Sequence, residues 1–430
     1  MKKRRTIKVD YLARVEGEGA MWINFKDGHV ADVKLKIYEP PRFFEAFMVG
    51  RKFDEAPDIT ARICGICPVA YQMSACAAME DAMGVEIPDH IRRLRRLLYC
   101  GEWIQSHTLH IYFLHAPDFL GLESAVDLAR TDKDRLQKGM KLKAAGNAIM
   151  RTIGGREVHP VNVRIGGFYS LPDPEKVREL LPVLEEAKGI AADTVRWVAG
   201  FDFPEFEEDY EFVALHDPDC YPIESGRIAS NRGLDITASD YDHHFEEIQQ
   251  PHSNALHSLH KGYGSYMAGP MARFALNHDR LSPFAQELAG EAGISGPVRN
   301  PFRSIVVRAV EVAYCCDEAI RLIHDYEAKG AAAVPVKPKA ATGYGCTEAP
   351  RGILYHCYEV DGEGLIRSAR IVPPTSQNQG QIEQDLWRFG DQYAALDDET
   401  LQWKCEQAIR NYDPCISCAT HFLKLHVKRQ

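Results

Sequence analysis

The sequence has 430 residues, of which 45% are hydrophobic and 26% charged, and its formal net charge is −10. This composition is that of a globular protein with a large core, and the acidic balance gives no indication of nucleic-acid binding or of a basic membrane patch. No run of about 18 apolar residues occurs, and residues 1–6 lead into a segment of mixed polarity, so the sequence predicts neither an export signal nor direct membrane insertion.

Two β-hairpins are predicted, one near each end of the chain. Met21, Ile23 and Phe25 alternate with polar or small neighbours, and Asp27-Gly28 then turns the chain into residues 30–37. A similar pattern runs from residue 354 to residue 372 through the turn at Asp361-Gly362.

Between the hairpins the hydrophobic spacing is mainly helical. Amphipathic helices are predicted over residues 91–115, ended by Pro117, and over residues 174–198 and 302–326, whereas residues 331–341 resemble a loose connection. The fold class predicted is therefore α+β, with a mainly helical core and peripheral antiparallel hairpins.

Two Cys-x-x-Cys pairs carry the chemistry. Cys64 and Cys67 alone would also fit a pair of core cysteines or a redox dithiol, but Cys415 and Cys418 add a second pair, followed three residues later by His421. A zinc ribbon usually separates its pairs by roughly 15–20 residues. These pairs lie at opposite ends of the chain, so the four thiolates would meet inside the fold, where a metal ion must offset their desolvation. Soft thiolates suit nickel and iron, and structural zinc remains an alternative.

Both pairs resemble the cysteine signatures of nickel–iron hydrogenase large subunits, and further matches follow in the same order across nearly the whole chain. These matches are Arg14-Val15-Glu16-Gly17, Phe44-Glu45, Ser106-His107 with His110, residues 154–160, Ala349-Pro350-Arg351-Gly352 and Pro373-Pro374-Thr375. The resemblance implies a single large-subunit domain over residues 1–430. It also implies that Cys64 and Cys415 are terminal ligands of nickel, and that Cys67 and Cys418 bridge nickel to an iron carrying one carbon monoxide and two cyanides.

The resemblance assigns a proton-relay role to Glu16, beside the thiolate of Cys415. A carboxylate at hydrogen-bond distance can accept a proton and pass it outward. Glu18 and Glu45 are nearby acids, and a surface acid in a turn is the alternative for Glu16. Most relatives have a histidine where this chain has Glu18.

Arg351 matches the arginine that overhangs the bimetallic gap, and Asp118 and Asp413 match the carboxylates around it. A fixed buried cation there would hydrogen-bond a cyanide and polarise H₂. Thr375, with Pro374 beside it, matches the position that binds the second cyanide. The alternatives are that Asp118 and Asp413 cap a helix or a turn, and that Thr375 is an ordinary threonine in a β-strand.

Glu45 and His421 match the ligands of a buried Mg²⁺, or another divalent ion, near the C terminus. Carboxylate and water ligands fit a hard divalent ion. In many relatives an endopeptidase cuts after this histidine once nickel is inserted, so removal of residues 422–430 is expected, and a short tail kept beyond His421 is the alternative. Nickel chaperones are expected as further maturation partners.

Residues 68–71 after Cys67, and residues 376–379 after Thr375, resemble the cytoplasmic NAD(P)-linked bidirectional hydrogenases, including the sulfhydrogenase type. The chain has no convincing dinucleotide-binding or ferredoxin motif. Nicotinamide, flavin and iron–sulfur clusters are therefore expected on partners: an iron–sulfur small subunit and diaphorase-type subunits. The rival interpretations are a zinc-stabilised scaffold and a quinone-reductase-like subunit without hydrogenase activity, although the latter lacks the four cysteines.

Overall fold

The computed structural model describes residues 4–40 and 42–420, and more of these residues lie in helices than in strands. The helices are α1 (Phe44–Met48), α2 (Ala56–Thr60), α3 (Pro68–Met83), α4 (Asp89–Thr108), α5 (Ala116–Phe119), α6 (Ala125–Thr131), α7 (Lys133–Gly154), α8 (Pro174–Arg178), α9 (Leu181–Ala199), α10 (Tyr241–His244), α11 (Pro270–Asn277), α12 (Pro283–Glu291), α13 (Ser304–His324), α14 (Pro374–Gln392), α15 (Asp398–Arg410) and α16 (Ile416–Ala419). A π-helical segment, Leu109–His115, joins α4 to α5.

The strands form small antiparallel sheets. They are β1 (Arg4–Val9), β2 (Gly19–Lys26), β3 (His29–Ile37), β4 (Val163–Arg164), β5 (Gly167–Phe168), β6 (Val213–His216), β7 (Arg227–Ser230), β8 (Asp235–Ile236), β9 (Phe245–Gln249), β10 (Leu256–His260), β11 (Ala341–Ala349), β12 (Gly352–Val360) and β13 (Ile366–Val372). Their orders are β1-β2-β3, β4-β5, β6-β7-β8, β10-β9 and β11-β12-β13.

The two predicted hairpins are confirmed. Asp27 and Gly28 both have positive φ, 56° and 92°, as the tight turn between β2 and β3 requires. The later hairpin pairs β12 with β13. The sequence did not reveal β11, which pairs with β12 and packs against α3.

The predicted helices are present, with different boundaries. Pro117 does not end the first one, because it lies in the first turn of α5, where its missing N–H is not needed. The predicted helix over residues 174–198 is divided into α8 and α9. The α+β class with a mainly helical core is confirmed.

Two sets of contacts bring the ends of the chain together. Glu16 and Cys415 form a parallel β-bridge, in which the Ile416 amide donates to the Glu16 carbonyl at 2.9 Å. The Arg42 guanidinium donates to the carbonyls of Ile63 at 2.7 Å and Ser417 at 3.3 Å. The residue before the first cysteine pair and residues within the second pair are therefore held close together. Among the described residues, the helices are too short or too polar to cross a membrane.

Candidate metal centre

The four cysteines of the two pairs converge. Their sulfur atoms all lie within 4.8 Å of one another, and all four residues are buried. The sulfurs of Cys64 and Cys415 are 3.6 Å apart, and those of Cys415 and Cys418 are in contact. A four-sulfur group drawn from both ends of the chain is what the motif spacing predicted.

The backbone around the first pair favours a negative charge on sulfur. The amides of Ile66 and Cys67 point at the Cys64 sulfur at 3.3 and 3.2 Å. Cys67 precedes the first residue of α3, Pro68. Hydrogen bonding from Cys67, together with the nearby Arg351 cation, lowers the pKa of Cys64 even though burial acts to raise it. Its partner Cys67 has a raised pKa, because Cys64 and burial both disfavour a second thiolate.

Arg351 brings a buried positive charge to the cysteines. Its Nε donates to the Asp413 carbonyl at 2.6 Å and its Nη2 to the Asp413 carboxylate at 3.1 Å. Asp413 has a left-handed φ of 52°, immediately before Pro414 and Cys415. Burial alone would lower the pKa of Arg351, but Asp413, Cys67 and Cys64 raise it, so the side chain stays charged.

The Nη1 atom of the Arg351 guanidinium is buried and has no hydrogen-bond partner among the described residues. A buried unsatisfied donor costs roughly 1–3 kcal/mol, so such an atom indicates an acceptor supplied by a bound group. This observation, together with the thiolate donors, shows that the residues fit a metal centre with hydrogen-bond-accepting ligands.

Glu16 lies directly against the second pair. Its Oε2 accepts from the Cys415 sulfur at 3.1 Å and from the Ser417 amide at 3.0 Å. Glu16 is half-buried beside Cys415 and is not an exposed surface acid.

Thr375 lies in the first turn of α14, directly after Pro374, and not in a strand. Its hydroxyl accepts from the Cys415 amide at 3.1 Å. Both residues are buried, so the start of α14 contributes one wall of the cysteine cluster.

The predicted pairing of Asp118 with Arg351 is not what the structure shows. The Asp118 carboxylate binds Arg410 through two hydrogen bonds, at 2.7 and 2.8 Å, and Arg14 at 2.5 Å. Because α5 lies against the end of α15, both guanidiniums reach this buried acid and occupy it. Asp413 is the carboxylate that holds Arg351.

Glu45 lies half-buried in α1, and its Oε1 accepts from the Ile371 amide at 2.7 Å. A cavity of about 270 Å³ lies beside it, lined also by Cys418 and Thr420. The other predicted ligand of this site, His421, lies outside the described residues.

Three residues near the centre were missed from the sequence. Glu39 accepts from the Ser417 hydroxyl at 2.9 Å, so a second carboxylate follows Glu16 towards the surface. Glu102, fully buried in α4, accepts from the Val69 and Ala70 amides at 2.6 and 3.1 Å, and burial raises its pKa well above the usual value. Neither Glu39 nor Glu102 lies in a motif, since tertiary packing places both, whereas Ser417 lies inside the second Cys-x-x-Cys pair and was not singled out.

Fold and site together define a metalloprotein whose soft metal centre is enclosed by thiolates, a fixed cation and a carboxylate. The nickel-dependent hydrogenase family matches residues 42–156 and 271–421. Sulfhydrogenase 1 subunit alpha of Pyrococcus furiosus is 35% identical over 429 residues, covering 97% of this chain and 98% of that protein. NAD-reducing hydrogenase HoxS subunit beta of Cupriavidus necator is 28% identical over 465 residues, covering 97% of this chain and 95% of that protein.

A crystal structure of an NAD⁺-reducing [NiFe]-hydrogenase in the H₂-reduced state superposes with a TM-score of 0.88 at 28% identity, covering 97% of this chain and 99% of that one. The chain belongs to the nickel-dependent hydrogenase family. It is the catalytic large subunit of a heteromeric nickel–iron hydrogenase, and the zinc-scaffold and quinone-reductase-like alternatives are disfavoured.

Proposed function

We propose that this subunit catalyses H₂ ⇌ 2H⁺ + 2e⁻ at a nickel–iron centre held by Cys64, Cys67, Cys415 and Cys418. The observation that carries the proposal is the convergence of these four buried sulfurs within 4.8 Å of one another. In this assignment the thiolates of Cys64, Cys67, Cys415 and Cys418 would together hold nickel and an iron that would carry carbon monoxide and cyanide ligands. When bound, this group supplies the redox chemistry that cleaves H₂.

The protein's own residues move the proton. The 3.1 Å contact between the Cys415 sulfur and Glu16 Oε2 gives a direct route from thiol to carboxylate. Glu16 accepts the proton and holds it on its carboxylate. Its hydrogen bond from the Ser417 amide keeps the carboxylate in that orientation.

Arg351 and the start of α14 orient the ligands of iron. The unpartnered Nη1 of Arg351 is available to a cyanide nitrogen, while Asp413 fixes the rest of the guanidinium. Thr375 and Pro374 form the wall at the start of α14, where the second cyanide would accept a hydrogen bond. Asp118 supports this region indirectly, by fixing Arg410 and Arg14.

A Mg²⁺, or another hard divalent ion, is assigned to Glu45 and His421. The support for this site is the position of Glu45 at the cavity next to Cys418 and Thr420, the residue before His421. Carboxylate and carbonyl oxygens are suitable ligands for such an ion.

Electrons leave through partners. The relatives named as NAD-reducing hydrogenase and sulfhydrogenase subunits favour an NAD(P)-linked cytoplasmic complex with an iron–sulfur small subunit and flavin-containing diaphorase-type subunits.

The whole chain, residues 1–430, is assigned to one domain, because a continuous hydrophobic cluster contains buried residues from Ile7 to Ala419.

Maturation by nickel chaperones and an endopeptidase belongs to the same proposal, with cleavage after His421. Intact-mass measurement on active, nickel-containing enzyme tests this step. A subunit ending at His421 supports cleavage, and a fully active subunit ending at Gln430 refutes it.

The central experiment combines metal analysis with infrared spectroscopy of the purified complex. Nickel and iron in near-equal amounts are expected, with infrared bands for bound CO and cyanide. Cys64→Ser should abolish both the bands and H₂ turnover, because a hydroxyl is a poor ligand for a soft metal at neutral pH. Cys220→Ser, at a half-buried cysteine outside the cluster, is the matched control. Zinc alone in the wild-type protein, or full activity in nickel-loaded Cys64→Ser, would refute the proposal.

A further inference from the structure

A second group of metal-binding side chains, His252, His257 and Glu383, shares no residue with the cysteine cluster. One ligand atom from each of these residues lies within 4.8 Å of those of the other two. The Nε2 atom of His252 is 2.7 Å from Glu383 Oε1, and the Nδ1 atom of His257 is 4.0 Å from Glu383 Oε2. His252 lies in the loop before β10, His257 on β10 and Glu383 on α14, so three separate elements meet here.

The hydrogen bonds of His257 are incomplete. Its side chain is only 4% exposed, and its Nδ1 atom is too far from Glu383 for a hydrogen bond. Its Nε2 atom is buried without a partner among the described residues. The Nδ1 atom, which faces Glu383 without a hydrogen bond to it, is therefore available to an ion.

Glu383 is oriented for a cation. Its Oε1 accepts from the Leu35 amide of β3 at 2.8 Å, which fixes the carboxylate. Within residues 4–40 and 42–420, its ion pairs are with the two histidines and not with a lysine or arginine. The side chains of His252 and Glu383 are 15% and 18% exposed, so a hydrated ion can reach the group from solvent.

We propose that His252, His257 and Glu383 bind a divalent first-row transition metal ion of the zinc(II) type. Two imidazoles and a carboxylate suit such an ion, and water would fill the remaining position on the exposed side. The separation expected between two ligands of one ion lies between the 2.7 and 4.0 Å found here, so ion binding would move the His252 and Glu383 atoms slightly apart and the His257 and Glu383 atoms closer together.

The ion would link β10, the preceding loop and α14. It would also steady the helix whose first turn places Pro374 and Thr375 against Cys415, since Glu383 lies farther along the same helix. The ion lies outside the reaction centre, so its role is structural.

The test uses the nickel-loaded hydrogenase complex, in which the cysteine site is already filled. The complex is incubated with Zn²⁺ and desalted, and zinc and nickel are then quantified. We expect wild type to retain a further equivalent of zinc that His257→Gln and Glu383→Gln lose. His243→Gln, at an exposed histidine outside the group, should retain it. Zinc should also raise the thermal unfolding midpoint of wild type and of His243→Gln, but not that of the other two variants.

Zinc K-edge absorption on wild type gives an independent readout. Nitrogen and oxygen neighbours with imidazole scattering and no sulfur are expected. Retention of equal zinc by wild type, His257→Gln and Glu383→Gln would overturn the proposal, as would sulfur neighbours or no retained zinc in wild type. If either ligand variant fails to assemble, the wild-type zinc content and spectrum decide the question. Because H₂ turnover does not enter these readouts, failure here would leave the hydrogenase assignment intact.

Discussion

Two acids only two residues apart, Glu16 and Glu18, occupy different environments. The Glu16 carboxylate contacts the Cys415 sulfur, whereas Glu18 is exposed and its contact with Glu39 is made by its backbone amide. Gly17 between them has a φ of 88°, and a Cβ there would lie 2.6 Å from Glu39 Oε2 and 2.7 Å from Ile416. The left-handed glycine therefore lets the chain pass close to the second cysteine pair while directing one acid inward.

Glu16→Gln should leave the metals bound but slow H/D exchange by roughly 10²–10⁴-fold, because the amide keeps the shape and loses the proton-accepting oxygen. Exchange with D₂O and nickel content, measured on the same preparation, check this. Glu18→Gln is the control and should exchange at the wild-type rate. Wild-type exchange in Glu16→Gln would remove this residue from the relay.

Among individual site residues, the sequence identified those that lie within motifs better than those whose position depends on tertiary packing. The cysteines, Glu16, Arg351 and Asp413 were found because each lies in or beside a recognisable pattern, and the structure brings them together. The partners of Asp118 were predicted wrongly, because they depend on how α5 meets α15 and on where Arg14 lies. Such contacts between distant segments leave no local signal in the sequence.

Among the elements, α3 and β11 have an unusually close approach. A Cβ on Gly345 of β11 would lie 2.5 Å from the Ser74 carbonyl oxygen and 2.6 Å from the Ala78 amide nitrogen of α3. Both atoms belong to a helix backbone that cannot give way easily. Since α3 starts directly after Cys67, this contact fixes the helix that follows the first cysteine pair.

Gly345→Ala should therefore destabilise the fold by about 1–3 kcal/mol, as overpacking does. The midpoint of thermal unfolding and the nickel content of the purified complex measure the effect, and both should fall. Gly189→Ala is the matched control: Gly189 lies within α9, has nothing within 4 Å of a built Cβ, and should gain slightly in helix stability. Equal midpoints for Gly345→Ala and wild type would show that the two elements separate without cost.

The close packing of β11 on α3 also explains why the sequence did not predict this strand. Gly343 and Gly345 interrupt the pattern of β11, so the sequence did not indicate a buried strand there. The two Asp-Gly turns, by contrast, indicated their hairpins locally. Nothing in the local sequence marked the π-helical segment from Leu109 to His115.

Over the whole molecule, several histidines are buried in the helical core as neutral groups. His115 is fully buried, and neither of its ring nitrogens has a hydrogen-bond partner among the described residues. Burial, with His110 nearby, lowers its pKa well below the usual value. Burial likewise lowers the pKa of His107 to about 4 and that of His356 to about 3.

These shifts predict acid sensitivity. The folded-state pKa of each such histidine lies below its unfolded value of about 6.5, so the unfolded state binds more protons in between. The stability that each neutral histidine contributes is fully present above pH ~6.5. It is lost as the pH falls towards the folded-state pKa, by up to about 1.4 kcal/mol per pH unit for each histidine. His115→Phe removes one such group, so the thermal midpoint of the complex should fall less steeply between pH ~6.5 and ~5 than in wild type. His243→Phe, at a histidine whose side chain is 81% exposed, should keep the wild-type slope. Identical slopes in His115→Phe and wild type would mean that His115 does not contribute to acid unfolding, and that other groups, such as carboxylates in buried ion pairs, control it.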